Sequence, residues 1–195
     1  MSQYAAHPGE QFRTLLPYAL IAALLVVLVY VIAGILSGRR AERKSRWTLW
    51  EQLVYLVTLV SVAILAVTSF GALIRFGELS GWALFAHMVG AGMFVFTLPV
   101  LAITWFAANQ FDVRRIGERG QETPRRFYWL PKVMFWILLT GGFVVSMTML
   151  LSMLPLFGTS GLSELLDLHR YAGLVVVVAL ALHAGGVILQ RLGRR

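Results

Sequence analysis

The sequence predicts an all-α integral membrane protein, a helical bundle with five transmembrane helices, and three observations carry that reading. Hydrophobic residues make up 58% of the 195 residues and charged residues 13%, and the mean hydropathy is +0.76; a soluble domain is about a quarter charged. The apolar residues fall into five runs, each long enough to cross a hydrocarbon core of about 30 Å, which takes about 20 helical residues. The linkers between the runs are too short to hold a separate soluble domain.

The first run, Leu15 to Leu36, follows a polar tail over 1–14. It is longer than the roughly 7–15 apolar residues of a signal peptide and no small-residue cleavage site follows it, so it reads as a retained helix over 15–37. The second run extends from about Trp50 to Ile74, the third from Trp82 to Ala108, the fourth from about Val133 to Phe157 and the fifth from about Leu165 to Leu189. Together these four make a core over 46–190, interrupted by a loop over 109–132 and followed by a tail over 191–195. The connectors Arg75–Gly81 and Gly158–Glu164 are short and rich in Gly and Ser. Trp47, Trp50, Trp82, Trp105, Trp129 and Trp136 fall near the predicted interfaces, as an aromatic belt requires. No fixed-period repeat or low-complexity segment is present.

Charge sets the orientation. Of the seventeen basic residues, fourteen lie on one side: Arg39, Arg40, Arg43, Lys44 and Arg46 between spans one and two; Arg114, Arg115, Arg119, Arg125, Arg126 and Lys132 between spans three and four; and Arg191, Arg194 and Arg195 at the end. Only Arg13, Arg75 and Arg170 fall on the other. By the positive-inside rule the N-terminus is periplasmic and the C-terminus cytoplasmic in a bacterial inner membrane. The net charge of +8 is then a topology signal with some attraction to anionic lipid, not a nucleic-acid footprint. The loop "NQFDVRRIGERGQETPRRFYW" mixes both signs and reads either as a docking surface for a cytoplasmic partner or as a solvated, topology-setting loop.

There is no cysteine, which excludes cysteine-ligated iron–sulfur clusters, disulfides and thiol catalysis. A redox centre here must use histidine, methionine or a bound organic cofactor. Hydrolysis has little support, since no Ser, His and Asp set shares a depth in the membrane, and a transporter reading lacks an inverted repeat with broken helices.

Four histidines remain, and His7 lies in the polar tail. His87, His169 and His183 lie within spans, where a polar side chain is costly and function is the default hypothesis. Spans three and five both start on the periplasmic side, so His87 and His169, each a few residues in, occupy one layer. Bis-histidine ligation of a b-type haem needs two imidazoles at matched depth in a bundle core. Gly90 and Gly173, one turn beyond them, clear space for a flat macrocycle, and Arg170 and Arg75 are candidate partners for haem propionates. The structural alternative is that both imidazoles hydrogen-bond neighbouring helices while the glycines serve close packing. Asp167, two residues before His169, either orients that ring or sits in the headgroup layer. His183 shares a helix face with His169 but lies about 21 Å deeper at 1.5 Å per residue. A second haem there would need a partner from another helix, and no histidine is available.

The sequence at this point resembles the membrane cytochrome b family that includes the gamma subunits of respiratory formate dehydrogenases, the cytochrome b subunits of nickel–iron hydrogenases and the bacterial cytochrome b561 proteins. The likeness covers about residues 46–190. "LHRYAGLVVVVALALH" resembles the last core helix of the family with its two ligand histidines, and "FAHMVGAGMFVF" the second, which supplies one. "RRFYWLPKVMFWILLTGG" resembles the third, and "RWTLW" the opening of the first, where the family carries Arg-x-x-His-Trp. Leu49 stands at that histidine position, so the resemblance implies one haem b between His87 and His169 and leaves the second site in question. His183 is then a quinone-site or proton-handling residue, a structural histidine, or the ligand of a second haem with an unusual partner such as Met134 or Glu51.

The resemblance implies a membrane-anchoring electron-transfer subunit rather than a complete enzyme. It would pass electrons between a redox subunit of a respiratory complex, docked on the periplasmic face, and the membrane quinone pool. The alternative is a redox-silent membrane anchor or assembly subunit.

Overall fold

The computed structural model of the protein describes residues 9–36, 47–111 and 129–192, with side chains through Leu189. Five α-helices account for most of them: α1 (Glu10–Leu36), α2 (Leu49–Phe76), α3 (Gly81–Trp105), α4 (Leu130–Ser152) and α5 (Thr159–Leu192), with a 3-10 turn at Ala107–Asn109. All five are long and apolar enough to cross a membrane, as the hydropathy pattern requires. The basic connector and most of the longest loop lie outside the described residues, as do most of the polar tail and the chain end.

Local chemistry sets the helix ends. Thr48 caps α2 in a reciprocal box: its hydroxyl accepts from the Glu51 N–H at 3.2 Å, and the Glu51 carboxylate accepts from the Thr48 N–H at 2.7 Å. Such a box satisfies two of the backbone donors that every helix start leaves open. At the other end Gly77, with φ 82°, takes the left-handed cap that glycine adopts without strain. Pro131 sits in the first turn of α4, where its missing N–H costs nothing.

Four boundaries differ from the expectation. Helix α4 ends at Ser152 rather than Phe157, closed by tighter bonds from the Met153 and Leu154 N–H groups to the Leu150 and Leu151 carbonyls. Pro155 follows, and the residue before a proline is disfavoured in helix. The segment Gly158–Glu164, expected as a loop, is mostly the start of α5, with the Leu162 N–H donating to the Gly158 carbonyl at 3.0 Å. Thr and Ser are turn formers that also favour helix starts, and here the second property prevails. Helix α1 begins at Glu10, ahead of its apolar run, and α3 ends at Trp105, with the 3-10 turn covering Ala107 and Ala108.

Helices α2 and α3 pack as one hairpin and α4 and α5 as another; α3 lies against α4 and α2 against α5. The four form a ring in which α3 and α5 stand on a diagonal. Helix α1 lies outside it against α5 and α2. Gly9 lies against Arg170 and Gly77 against Arg13, so the start of α1, the α2–α3 turn and the start of α5 share one end of the bundle, called here the upper end. Gly34 meets Leu189, and Gly186 meets Pro131 and Tyr30, at the lower end. Helices α1 and α5 therefore run in the same direction.

The main core joins all four ring helices through Val54, Val62, Phe94, Leu98, Leu101, Phe135, Leu138, Val176, Ala179 and Leu180. A smaller cluster of Phe12, Leu16 and Phe70 seats α1 near the upper end. Glycine brings α3 and α4 together at one point, since a Cβ at Gly142 would stand 2.9 Å from Phe94 Cζ and 3.0 Å from Leu98 Cδ1. Large apolar side chains cover the outside, Ile103 being 82% exposed; a soluble surface does not carry such a continuous apolar face, and lipid is the solvent that accepts it.

Candidate functional site

The diagonal of the ring carries the two histidines. His87 projects from α3 and His169 from α5, and their ring centroids lie 6.5 Å apart with planes inclined by 66°. Helix α5 starts earlier than expected, so His169 lies ten residues in and His87 six, yet the rings share a layer because α5 extends further at the upper end.

Each ring is held through Nδ1. Thr68 Oγ1 of α2 lies 3.2 Å from His87 Nδ1, while Thr148 Oγ1 and the Val145 carbonyl of α4 lie 3.1 Å and 3.2 Å from His169 Nδ1. Each threonine thus belongs to the hairpin partner of the helix that carries its histidine. Asp167 does not orient His169. It is ion-paired with Arg170 at 2.7 Å.

The spacing of the pair matches that of two imidazoles sharing one iron. A metal–imidazole bond is about 2.0–2.1 Å; with each ring centre about 1.2 Å behind its nitrogen, two imidazoles sharing one metal have centroids about 6.5 Å apart. Among the described residues there is no cluster of three or more His, Cys, Asp and Glu side chains able to hold a metal. A bare zinc ion takes four ligands, whereas haem iron brings four pyrrole nitrogens and asks the protein for two. Gly173, one turn beyond His169, faces open space, with nothing within 4 Å of where its Cβ would be. Gly90 does not share that role: a Cβ there would stand 2.9 Å from Ile64 Cγ2, and the residue seats α3 on α2. Gly92 also has nothing within 4 Å of where its Cβ would be, but it is exposed on the outside of the bundle. Arg75 is exposed, its guanidinium 5.5 Å from the centre of the adjacent Phe76 ring.

The lower end is built differently. His183 is buried, with Nδ1 2.8 Å from the Pro131 carbonyl. The Tyr55 and Phe135 rings lie 6.0 Å from its ring, and Trp47, Trp105, Lys132 and Asn109 complete a cleft around it. Leu49, at the position where the resemblance places a second inner ligand, is 85% exposed and points away. The α2 side chain that meets His183 is Tyr55. Glu51 is engaged in the helix cap, and Met134 packs on the main core rather than lining the cleft. Among the described residues, Leu49, Glu51 and Met134 do not stand opposite His183 as a second ligand for a haem. The tryptophans also divide: Trp50, Trp82 and Trp129 are exposed as an interfacial belt requires, whereas Trp47 and Trp105 line the cleft and the Trp136 indole N–H donates to the Asn109 carbonyl at 3.1 Å.

Thr68 and Thr148 escaped the sequence reading although a signal was present. Both are polar residues in apolar spans, eight residues from the upper end of α2 and four from that of α4, hence near the depth of the histidines.

Comparison with protein-family models, with curated proteins and with solved structures returns no match. The chemistry of the diagonal pair therefore carries the functional reading.

Proposed function

We propose that the protein is a membrane-anchoring electron-transfer subunit that holds one haem b between His87 and His169. The observation that carries the reading is the 6.5 Å separation of the two imidazoles across the bundle diagonal, the spacing two axial ligands of one iron need. Bound there, haem b would supply reversible one-electron exchange, and a haem held by both imidazoles would have no place left for oxygen, which suits electron transfer. His87 and His169 would hold it, Gly173 would leave room for it, and the surrounding apolar side chains would exclude water. Thr68 and Thr148 hold the rings in place.

In this reading the chain sits in a bacterial inner membrane with its N-terminus periplasmic, as the charge distribution argues. The His87–His169 layer is near the periplasmic face, within reach of a redox subunit of a respiratory complex docked on the short upper connectors. The quinone pool is the membrane-soluble donor or acceptor. Of the two arginines at the upper end, Arg75 is exposed and would be open to a haem propionate, whereas Arg170 would have to share its guanidinium with Asp167.

Leu49, exposed where the resemblance places a second ligand, favours one alternative, a redox-silent anchor that keeps the bundle without the chemistry. The spectrum of the purified protein separates the two. One haem b per chain, with a Soret band lost in His87→Ala and in His169→Ala, is the expected result; an unaltered protein with no Soret band after haem-replete expression would establish the anchor.

A further inference from the structure

Two hydroxyls repeat one arrangement on the two hairpins. Thr68 on α2 faces His87 on α3, and Thr148 on α4 faces His169 on α5. The direction of these bonds follows from the other partners of each oxygen. Thr68 Oγ1 donates to the Ile64 carbonyl at 2.6 Å, with Leu65 O at 3.3 Å. Thr148 Oγ1 donates to the Val145 carbonyl at 2.8 Å. A hydroxyl has a single proton, so each threonine faces its imidazole with a lone pair. At His169 the Val145 carbonyl, which can only accept, lies beside the same Nδ1. Both imidazoles must therefore carry their proton on Nδ1, leaving Nε2 unprotonated.

We infer that Thr68 and Thr148 are positioning residues that, each with a backbone carbonyl beside it, hold His87 and His169 in the Nδ1–H tautomer. The inference rests on the haem reading only for its consequence. A metal takes the nitrogen that bears no proton, and the partner on the other nitrogen fixes ring orientation and raises ligand basicity. The two sites are alike: His87 has the Thr68 hydroxyl and the Leu65 carbonyl as partners, and His169 has the Thr148 hydroxyl and the Val145 carbonyl. Replacing either threonine removes the hydroxyl and leaves the carbonyl, so each hydroxyl trims the freedom of its ring rather than acting alone.

The test uses Thr68→Val and Thr148→Val, which keep the branched shape, and Thr68→Ser and Thr148→Ser, which keep the hydroxyl. Nitrogen-15 NMR of histidine-labelled full-length protein without haem, at a pH where imidazole is neutral, reads the tautomers directly. Both His87 and His169 are expected as Nδ1–H in the unaltered protein. Thr68→Val is expected to shift His87 partly toward Nε2–H and Thr148→Val to shift His169 likewise, and each serine to restore the original state. With haem bound, each valine variant is expected to weaken retention by about 10–100-fold, the usual cost of losing such a partner, and to raise the reduction potential. Nε2–H tautomers in the unaltered protein, or valine variants that leave both the tautomers and haem retention unchanged, would overturn the inference. Nδ1–H tautomers in a protein that binds no haem would uphold the positioning role and sink the haem reading alone.

Discussion

His183 and Pro131 join the two ends of one hairpin: the imidazole Nδ1 lies 2.8 Å from the Pro131 carbonyl, tying the last turns of α5 to the first turn of α4. A carbonyl accepts only, so the imidazole is the donor. The bond is 8% exposed on the histidine side, and it makes His183 part of the scaffold whatever else it does.

His183→Ala should therefore lower thermal stability while leaving the haem proposed for the upper layer in place. Loss of the hydrogen bond and of the packing against Tyr55 and Phe135 is worth about 1–3 kcal/mol. A melting curve and a reduced-minus-oxidised spectrum on the same preparation check both halves; loss of the haem would show that the two layers are coupled.

Gly173 separates folding from the haem binding proposed above. Its missing Cβ meets nothing within 4 Å, so Gly173→Ala should not destabilise the apo bundle and gains up to about 1 kcal/mol of helix propensity. Gly173→Leu should place a side chain in the space assigned to the macrocycle and reduce haem per chain. Full haem content in the leucine variant would move the macrocycle elsewhere.

Gly186 is the opposite case. A Cβ there would stand 2.5 Å from Pro131 Cγ and 3.0 Å from the Tyr30 hydroxyl, and a proline ring in a helix start has little freedom to move. Gly186→Ala should cost about 1–3 kcal/mol by overpacking, read as a lower melting temperature, and a neutral result would mean that α1 and α4 yield at this point.

Phe12 seats α1. It is 2% exposed, 6.4 Å from the Phe70 ring centre and 5.0 Å and edge-on from Tyr171. Because α1 lies outside the ring that carries the histidines, Phe12→Ala should destabilise the protein by about 3–5 kcal/mol with the haem spectrum unchanged. Proteolysis of α1 and the spectrum together test whether this helix is an independent addition.

Glu51→Gln bears on the lower end of the bundle. The carboxylate serves the cap of α2, and a glutamine still completes a capping box, so stability should change little and haem stoichiometry not at all. A change in haem count would return Glu51 to the set of ligands.

Much of this was legible in the sequence. The five spans follow from length and hydropathy, and the shared layer of His87 and His169 from counting residues inward. The count was imperfect for His169, because the Thr159–Ser163 segment reads as a loop and folds as helix. The second layer was legible only as a question. Leu49 drew attention through the resemblance, whereas Tyr55, six residues on, is the side chain that reaches His183.

The physical reason lies in the solvent. Composition alone determines that these segments are helices and that they lie in lipid, because an unpaired backbone in hydrocarbon is too costly. It does not determine which face of each helix turns inward. A helix apolar on all sides has no polar stripe to orient it, so rotation and neighbour are settled by close packing at residues such as Gly142 and Gly186. Only that packing places α3 and α5 on a diagonal, turns Leu49 to the outside, and brings Thr68 and Thr148 to the two imidazoles.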